Sequence, residues 1–330
     1  MYNIKQLPED FIVKEISYIK PEDNGNYSYF ILKKRNYATI KALKVISDKL
    51  KKPIKHFGFA GNKDKIAITQ QLISIKNTNI RDFGFKDIEL KYLGNSNEPV
   101  SLGDLEGNEF VITVRNLDKN KINYVKKIIN NKMLVPNYFG EQRFSKNNYL
   151  IGKEIIKRNF KKALWLILSH EWDIEKPVKD YIKKNKNDYI GALRKINKKL
   201  LKLYVHSYQS RLWNKAAEEY IISAGIKENT AIPIIGFGLE EIKDKKLKKI
   251  IDKIMEKENI FPRDFIISQL PELSSEGNDR DLFIRINNLR IIKTDKDELN
   301  KNKQKMIVSF SLRKGSYATE VIKYLFVKNH

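Results

Sequence analysis

Asp64 stands in the run Gly61-Asn62-Lys63-Asp64-Lys65, with lysine on both sides and a strand-like segment following to Ile75. A tight polar turn that runs into an extended element sets a carboxylate at the mouth of a strand, where a nucleophile or general base can act. Adjacent ammonium groups favour its ionised form at neutral pH. Asn, Asp and Gly are also the ordinary residues of hairpin turns, so on its own Asp64 reads first as a turn residue. A second constellation lies in Asn137-Tyr138-Phe139-Gly140-Glu141-Gln142-Arg143-Phe144. There an aromatic beside Arg143 offers stacking and phosphate contact to a nucleotide, although from composition alone a core aromatic next to a loop is the favoured account. Gln209, Ser210 and Arg211 are candidates for RNA contact. Leu212, Ala216 and Tyr220 share one helical face and read as packing. The lysines of 183–202, among them Lys195, Lys198 and Lys199, suit either a solvated face or phosphate binding.

The rest of the chain narrows the partners. Lys and Arg number 64 against 40 Asp and Glu, a formal net charge of +24 in 330 residues. Such an excess points to a polyanion, nucleic acid before an anionic membrane surface. The sequence has no cysteine, which excludes disulfides, thiolate zinc sites and cysteine nucleophiles. The four histidines, His56, His170, His206 and His330, are scattered without metal-ligand spacing, and no glycine-rich phosphate loop is present. An enzyme built from this chain is expected to need no metal or nucleotide cofactor. No apolar run approaches the ~20 residues of a membrane helix, and Met1–Phe11 lacks the apolar stretch of a signal peptide. A soluble, cytoplasmic protein without an obligate protein partner is expected.

A length of 330 residues suits two domains. Residues 27–50 read as a strand and then a helix that Thr39 can cap, with Ile40, Leu43, Ile46 and Leu50 on one face. Residues 102–117 give a Gly-Asn turn and then a clean alternation, Phe110, Ile112 and Val114 against Val111, Thr113 and Arg115. Residues 119–130 look helical. From about 149 to 224 the pattern is mostly helical, a further helix is expected over 242–258, and strands return at 281–293 and 306–312 before a final helix. Strands at both ends with helices between indicate one α/β domain interrupted by a largely helical insertion.

Six blocks, in order, resemble the TruD family of tRNA pseudouridine synthases. They are Lys5 to Glu15 (K-x-x-PEDF-x-V-x-E), Phe59 to Gln71 (FAG-x-KD-x-x-A-x-T-x-Q), Leu105 to Phe110 (L-x-GN-x-F), Asn137 to Phe144 (NYFG-x-QRF), Ser210 to Asn214 (S-x-x-x-N) and Phe310 to Thr319 (F-x-L-x-KGSYAT). The resemblance implies an α+β fold. A pseudouridine synthase catalytic domain with a mixed, largely antiparallel sheet would comprise 1–150 and 286–330, interrupted by a mostly helical α/β insertion, the TRUD domain, at 151–285. It implies isomerisation of uridine to pseudouridine in RNA, usually at position thirteen of tRNA, without cofactor or metal. Asp64 takes the place of the family's catalytic carboxylate and Lys5 that of the lysine paired with it. Phe139 takes the place of the aromatic that stacks on the target base. Asn137 and Arg143 would order the same loop or touch the nucleotide, and Lys314 and Gly315 would border the site. Lys63, Lys195, Lys198, Lys199 and Arg211 are the expected RNA contacts. Ser145, Arg313, Glu106 and Lys323 stand where the family commonly has Gly, Pro, a basic residue and Arg, departures that bear on substrate contacts more than on activity. The alternative is a non-catalytic RNA-binding or tRNA-chaperone protein on the same scaffold, which the presence of both Asp64 and Lys5 disfavours.

Overall fold

The structure is a computed structural model that describes residues 2–130, 133–169, 175–225 and 230–327, so His170 and His330 lie outside the described residues. Its strands are β1 (Phe11–Ile16), β2 (Tyr27–Arg35), β3 (Phe57–Phe59), β4 (Ile68–Lys76), β5 (Phe83–Phe85), β6 (Ile88–Ser96), β7 (Gly107–Leu117), β8 (Leu134–Pro136), β9 (Ala231–Ile234), β10 (Asn278–Asp281), β11 (Phe283–Arg285), β12 (Asn287–Lys296) and β13 (Gln304–Arg313). Its helices are α1 (Thr39–Lys49), α2 (Lys119–Ile128), α3 (Asn148–Ile156), α4 (Phe160–Leu168), α5 (Glu175–Lys184), α6 (Tyr189–Leu193), α7 (Lys198–Ala224), α8 (Lys245–Glu258) and α9 (Ala318–Phe326). Among the described residues no helix is long and apolar enough to cross a membrane.

Two compact units form, one from Met1–Val135 with Arg285–His330 and the other from Pro136–Ile284. The first holds a nine-stranded sheet in the order β12-β13-β7-β1-β4-β2-β6-β5, with β3 also on β4. Among the described pairings all are antiparallel except β1 with β4, where Ile12, Val13 and Lys14 face Ile68, Thr69 and Gln70. β2 runs along one whole edge of β4. The other edge is shared end to end, by β1 beside residues 68–70 and by β3 beside residues 73–75.

Alternation at period two sends each strand's apolar residues to one face or the other. Phe30 and Leu32, Ile73 and Ile75, and Ile88 and Leu90 form a buried cluster with Ala42, Leu43 and Ile46 of α1. Tyr29 and Leu72 point the opposite way, into a second cluster with Ala60, Val100 and Leu105. The buried stripe of α1 is Thr39, Ala42, Leu43 and Ile46, and Ile40, expected on it, is exposed. The expected turn at Gly107-Asn108 is instead the start of β7, paired with Arg313 and Leu312 of β13. Glycine is needed there because a Cβ would lie 2.2 Å from the Leu312 carbonyl oxygen.

The second unit is organised around α7, whose Leu201, Tyr204, Val205, Tyr208, Leu212, Ala216 and Tyr220 are buried at spacings of three and four. Helix α3 crosses it closely, since a Cβ on Gly152 would fall 2.0 Å from the Tyr204 carbonyl oxygen. Strands β9 and β10 pair antiparallel, and the Trp213 indole N–H donates to the Ile232 carbonyl at 2.9 Å. The sequence places the domain division after residue 150, whereas it falls after Val135. The reason is that the segment 137–143 is bonded to Ser210 and Asn214 of α7 and to Arg280.

Glu258 ends α8 between Lys153 of α3 at 2.8 Å and Lys215 of α7 at 2.5 Å. Burial pushes its carboxyl up, but the two lysines overcome this and hold it at about 2. A folded value below the unfolded one means that the stabilisation is complete above pH ~4.5 and is lost as pH falls toward 2. Glu258→Gln should therefore destabilise the protein at pH 7 by about 1–2 kcal/mol, after discounting for solvent screening. Urea unfolding of both proteins across pH should show that gap closing below pH ~4.

Candidate active site

Asp64 lies in the loop between β3 and β4, and its carboxylate accepts a hydrogen bond from the Lys5 ammonium at 2.6 Å. The two side chains are 28% and 20% exposed, so the pair is reachable from solvent. Asn62, Lys65 and Ile66 of the same loop are exposed, whereas Ala60, Lys63 and Ala67 are buried. The Lys63 N–H donates to Thr39 Oγ1 at 2.8 Å, and Thr39 donates to Gln71 Oε1 at 2.9 Å. Gln71 Nε2 in turn donates to the Gly61 carbonyl at 3.0 Å. Thr39, expected to cap α1, thus belongs to the Asp64 loop, and Ala38 is the N-cap. The Lys63 ammonium lies 2.6 Å from Glu15 Oε2 and donates to Asn108 Oδ1 at 2.7 Å. Lys34, almost fully buried, donates to the carbonyls of Tyr37 and Asp64. Burial pushes its ammonium down to about 8; Asp64 opposes that shift and Lys63 adds to it.

Lys5 is placed by the chain on either side of it. Asn3 and Arg115 exchange backbone hydrogen bonds at 3.0 and 2.8 Å, which lays the N-terminal segment along β7. Lys5 then adopts the left-handed backbone conformation, φ 59°, and its ammonium sits 4.1 Å from the centroid of Phe11. The following turn, Pro8–Asp10, is fixed by Asp10, which accepts the Leu7 N–H at 2.9 Å and the Arg115 Nε at 2.9 and 3.0 Å. Arg115 also donates to Asp297 at 2.9 Å and to Glu298 at 3.1 Å. Burial works against its charge, but Glu298, Asp10 and Asp297 together raise its pKa.

Lys314 and Gly315 border the same loop. The Lys314 ammonium donates to the Gly103 carbonyl at 3.0 Å, and the Gly103 N–H donates to Ala60, at the start of the Asp64 loop, at 2.8 Å. Gly315 has φ 84°, a conformation that favours glycine.

Asn137, Phe139 and Arg143 gather in the second unit. The Phe139 N–H donates to Asn214 Oδ1 at 2.9 Å, and Asn214 Nδ2 donates back to the Phe139 carbonyl at 3.0 Å. Arg143 Nε donates to Ser210 Oγ at 2.7 Å. The Ser-x-x-x-Asn block therefore has a physical reason, since residues four apart lie on one helix face and grip this loop together. The Phe139 ring is 8% exposed, meets Trp213 edge-on at 5.6 Å, and has the Arg280 guanidinium 4.0 Å from its centroid. Asn137 is buried and donates to the Asp281 carbonyl, while Arg280 donates to its side-chain oxygen at 2.7 Å. Its amide thus orders the loop.

Of the expected RNA contacts, Lys195, Lys198, Lys199 and Arg211 are exposed. Lys195 lies over the Tyr181 ring and Arg211 over that of Tyr149. Lys63 is a correction: its side chain is 7% exposed and is directed inward to Glu15. Gln209 and Ser210 are likewise buried, Gln209 against the Ile235 carbonyl and Ser275. Nothing in the local sequence singles out Lys34, Arg115 or Arg280. Among the described residues no three of His, Asp and Glu gather as a metal site.

The sequence model of the family described as tRNA pseudouridine synthase D (TruD) matches residues 2–180, 168–231 and 222–325. A probable tRNA pseudouridine synthase D 2 from Methanocaldococcus jannaschii is 33% identical, over 98% of this chain and 91% of that protein. A tRNA pseudouridine synthase D from Aquifex aeolicus is 28% identical, over 98% and 97%. The crystal structure of a putative tRNA pseudouridine synthase D (TruD) from Methanosarcina mazei matches with a TM-score of 0.73 at 28% identity, covering 99% of this chain and 93% of that one.

Replacing Arg115 leaves Asp10 and Asp297, whose side chains are 1% and 0% exposed, without their cation. Arg115→Met should destabilise the protein by about 3–5 kcal/mol in urea unfolding. Arg115→Lys should recover little of this, because one ammonium cannot reach three carboxylates as the guanidinium fork does.

Proposed function

The chain belongs to the TruD family of tRNA pseudouridine synthases and so is a pseudouridine synthase, an RNA isomerase; on that premise we propose that it acts on the uridine at position thirteen of tRNA with Asp64 as the catalytic carboxylate. The observation that carries this reading is the accessible Asp64–Lys5 pair, with the Asp64 loop fixed through the Lys63 N–H and the Gly61 carbonyl. Lys5 holds the carboxylate in place through their hydrogen bond. Asp64 faces C1′ of the target and assists departure of the base. The C1′–N1 bond breaks, the uracil turns, and a C1′–C5 bond forms. C5 loses its proton and N1 gains one, so mass and strand length do not change.

Access to C1′ requires the nucleotide to leave its stack, and Phe139 is proposed to receive the base. Because Arg280 lies 4.0 Å from the ring centroid, stacking there requires that guanidinium to be displaced. Asn137 and Arg143 keep the loop in shape through Arg280 and Ser210. Phosphates are met by the net charge of +24, with exposed Lys195, Lys198, Lys199 and Arg211 as contacts. The proposed setting is the cytoplasm.

Pseudouridine formation in defined tRNA transcripts, mapped by position, tests the reading. Wild type should modify position thirteen, and Asp64→Asn should fall to background while still binding the transcript. Tight binding by wild type with no product in any RNA would point to a non-catalytic binder. Full activity in Asp64→Asn would remove Asp64 from the mechanism.

A further inference from the structure

We propose that the buried Glu15–Lys63 pair sets the backbone position of Asp64, which makes both residues positioning residues for the reaction and removes Lys63 from the RNA surface. This rests on the reading of Asp64 as the catalytic carboxylate.

The pair occupies the place where the sheet changes partner. Along the shared edge of β4, backbone pairing with β1 ends at Lys14 opposite Gln70, and pairing with β3 begins at Phe59 opposite Ile73. Residues 71 and 72 fall between. The buried Leu72 N–H in this gap donates to Glu15 Oε1 at 3.1 Å, so a carboxylate takes the place of a strand carbonyl. The other Glu15 oxygen lies 2.6 Å from the Lys63 ammonium, with side chains 1% and 7% exposed. Lys63 also reaches Asn108 Oδ1 on β7, so its ammonium ties the Asp64 loop to two strands of the sheet, β1 and β7.

The main chain of Lys63 is held as firmly as its side chain. Its N–H goes to Thr39, and the next carbonyl, that of Asp64, accepts from Lys34. The residue before Asp64 is therefore anchored at both ends, while the Asp64 carboxylate stays open. A buried ion pair adds little net stability over apolar residues of the same shape. What it supplies here is fixed geometry, and a displacement of about 1 Å at a reacting group can cost ~100-fold in rate.

The test uses the full chain. Glu15→Gln keeps an acceptor for Leu72 and removes the charge facing Lys63. Lys63→Met keeps the stem and removes the ammonium, and Lys63→Arg restores a cation. Steady-state kinetics, tRNA affinity across a range of salt, and hydrogen exchange over residues 61–72 are read for each. Glu15→Gln and Lys63→Met should lower kcat by roughly 10–100-fold. Their tRNA affinity and its salt slope should stay unchanged, and exchange over 61–72 should quicken. Lys63→Arg should recover part of kcat. Weakened tRNA binding in Lys63→Met, with a salt slope smaller by about one and kcat unchanged, would make Lys63 an RNA contact and overturn the proposal. Unchanged kcat and unchanged exchange would overturn it as well. If the wild type makes no pseudouridine, the reading of Asp64 fails separately, and the exchange measurement still decides whether the pair holds the loop. Should Lys63→Met fail to fold, Glu15→Gln and Lys63→Arg carry both readouts.

Discussion

Two strands share one edge of β4, and the placement of Asp64 follows from that constraint. β1 arrives parallel and stops after Gln70; β3 arrives antiparallel and starts at Ile73. A buried amide left between them must find an acceptor, and Glu15 supplies it. A carboxylate in that position needs a cation, which Lys63 provides. Gln71, at the same junction, holds the Gly61 carbonyl and takes the Thr39 hydroxyl. The polar seam thus draws the β3–β4 loop onto the sheet through Gly61 and Lys63, and the Asp64 side chain remains partly exposed.

The Lys5–Asp64 contact depends on a second set of buried charges. Arg115 on β7 joins the turn carrying Asp10 to the acidic pair Asp297 and Glu298 between β12 and β13. Three segments remote in sequence meet at one guanidinium, and the N-terminal segment is bridged to β7 beside it. Such anchoring allows Lys5 a left-handed backbone, which costs a non-glycine residue on the order of 1 kcal/mol and persists where the surroundings over-determine it. The chain thus places Lys5 between the Asn3–Arg115 bridge and the turn at Pro8–Asp10.

The second unit uses a helix for the same purpose. Ser210 and Asn214, one turn apart on α7, hold Arg143 and the backbone of Phe139. Trp213, fully buried between them in sequence, supports the aromatic edge-on. Arg280 completes the arrangement from β10 through Asn137 and the Phe139 ring. A loop with few backbone partners of its own is thereby held by side chains from a rigid element.

Much of this was legible along the chain. Alternation in Phe110, Ile112 and Val114 marked β7, three-and-four spacing marked α7, and six ordered blocks carried the family and its α+β fold. Asp64 with Lys5, and Phe139 with Arg143, were named from those blocks. Local sequence could not separate a lysine that faces water from one that neutralises a buried carboxylate, and Lys63 was therefore placed on the wrong side of its loop. Nor could it show that Gly107 begins a strand, that Thr39 serves the loop and leaves α1 to be capped by Ala38, or that the division between units falls at Val135. Periodicity and motif order are properties of neighbours in the chain, so the sequence by itself determined most of the elements, the family and the candidate site residues. Burial and charge pairing are properties of neighbours in space. Tertiary structure alone decided that Glu15, Lys63 and Arg115, from distant strands and loops, converge on the segments that carry Lys5 and Asp64.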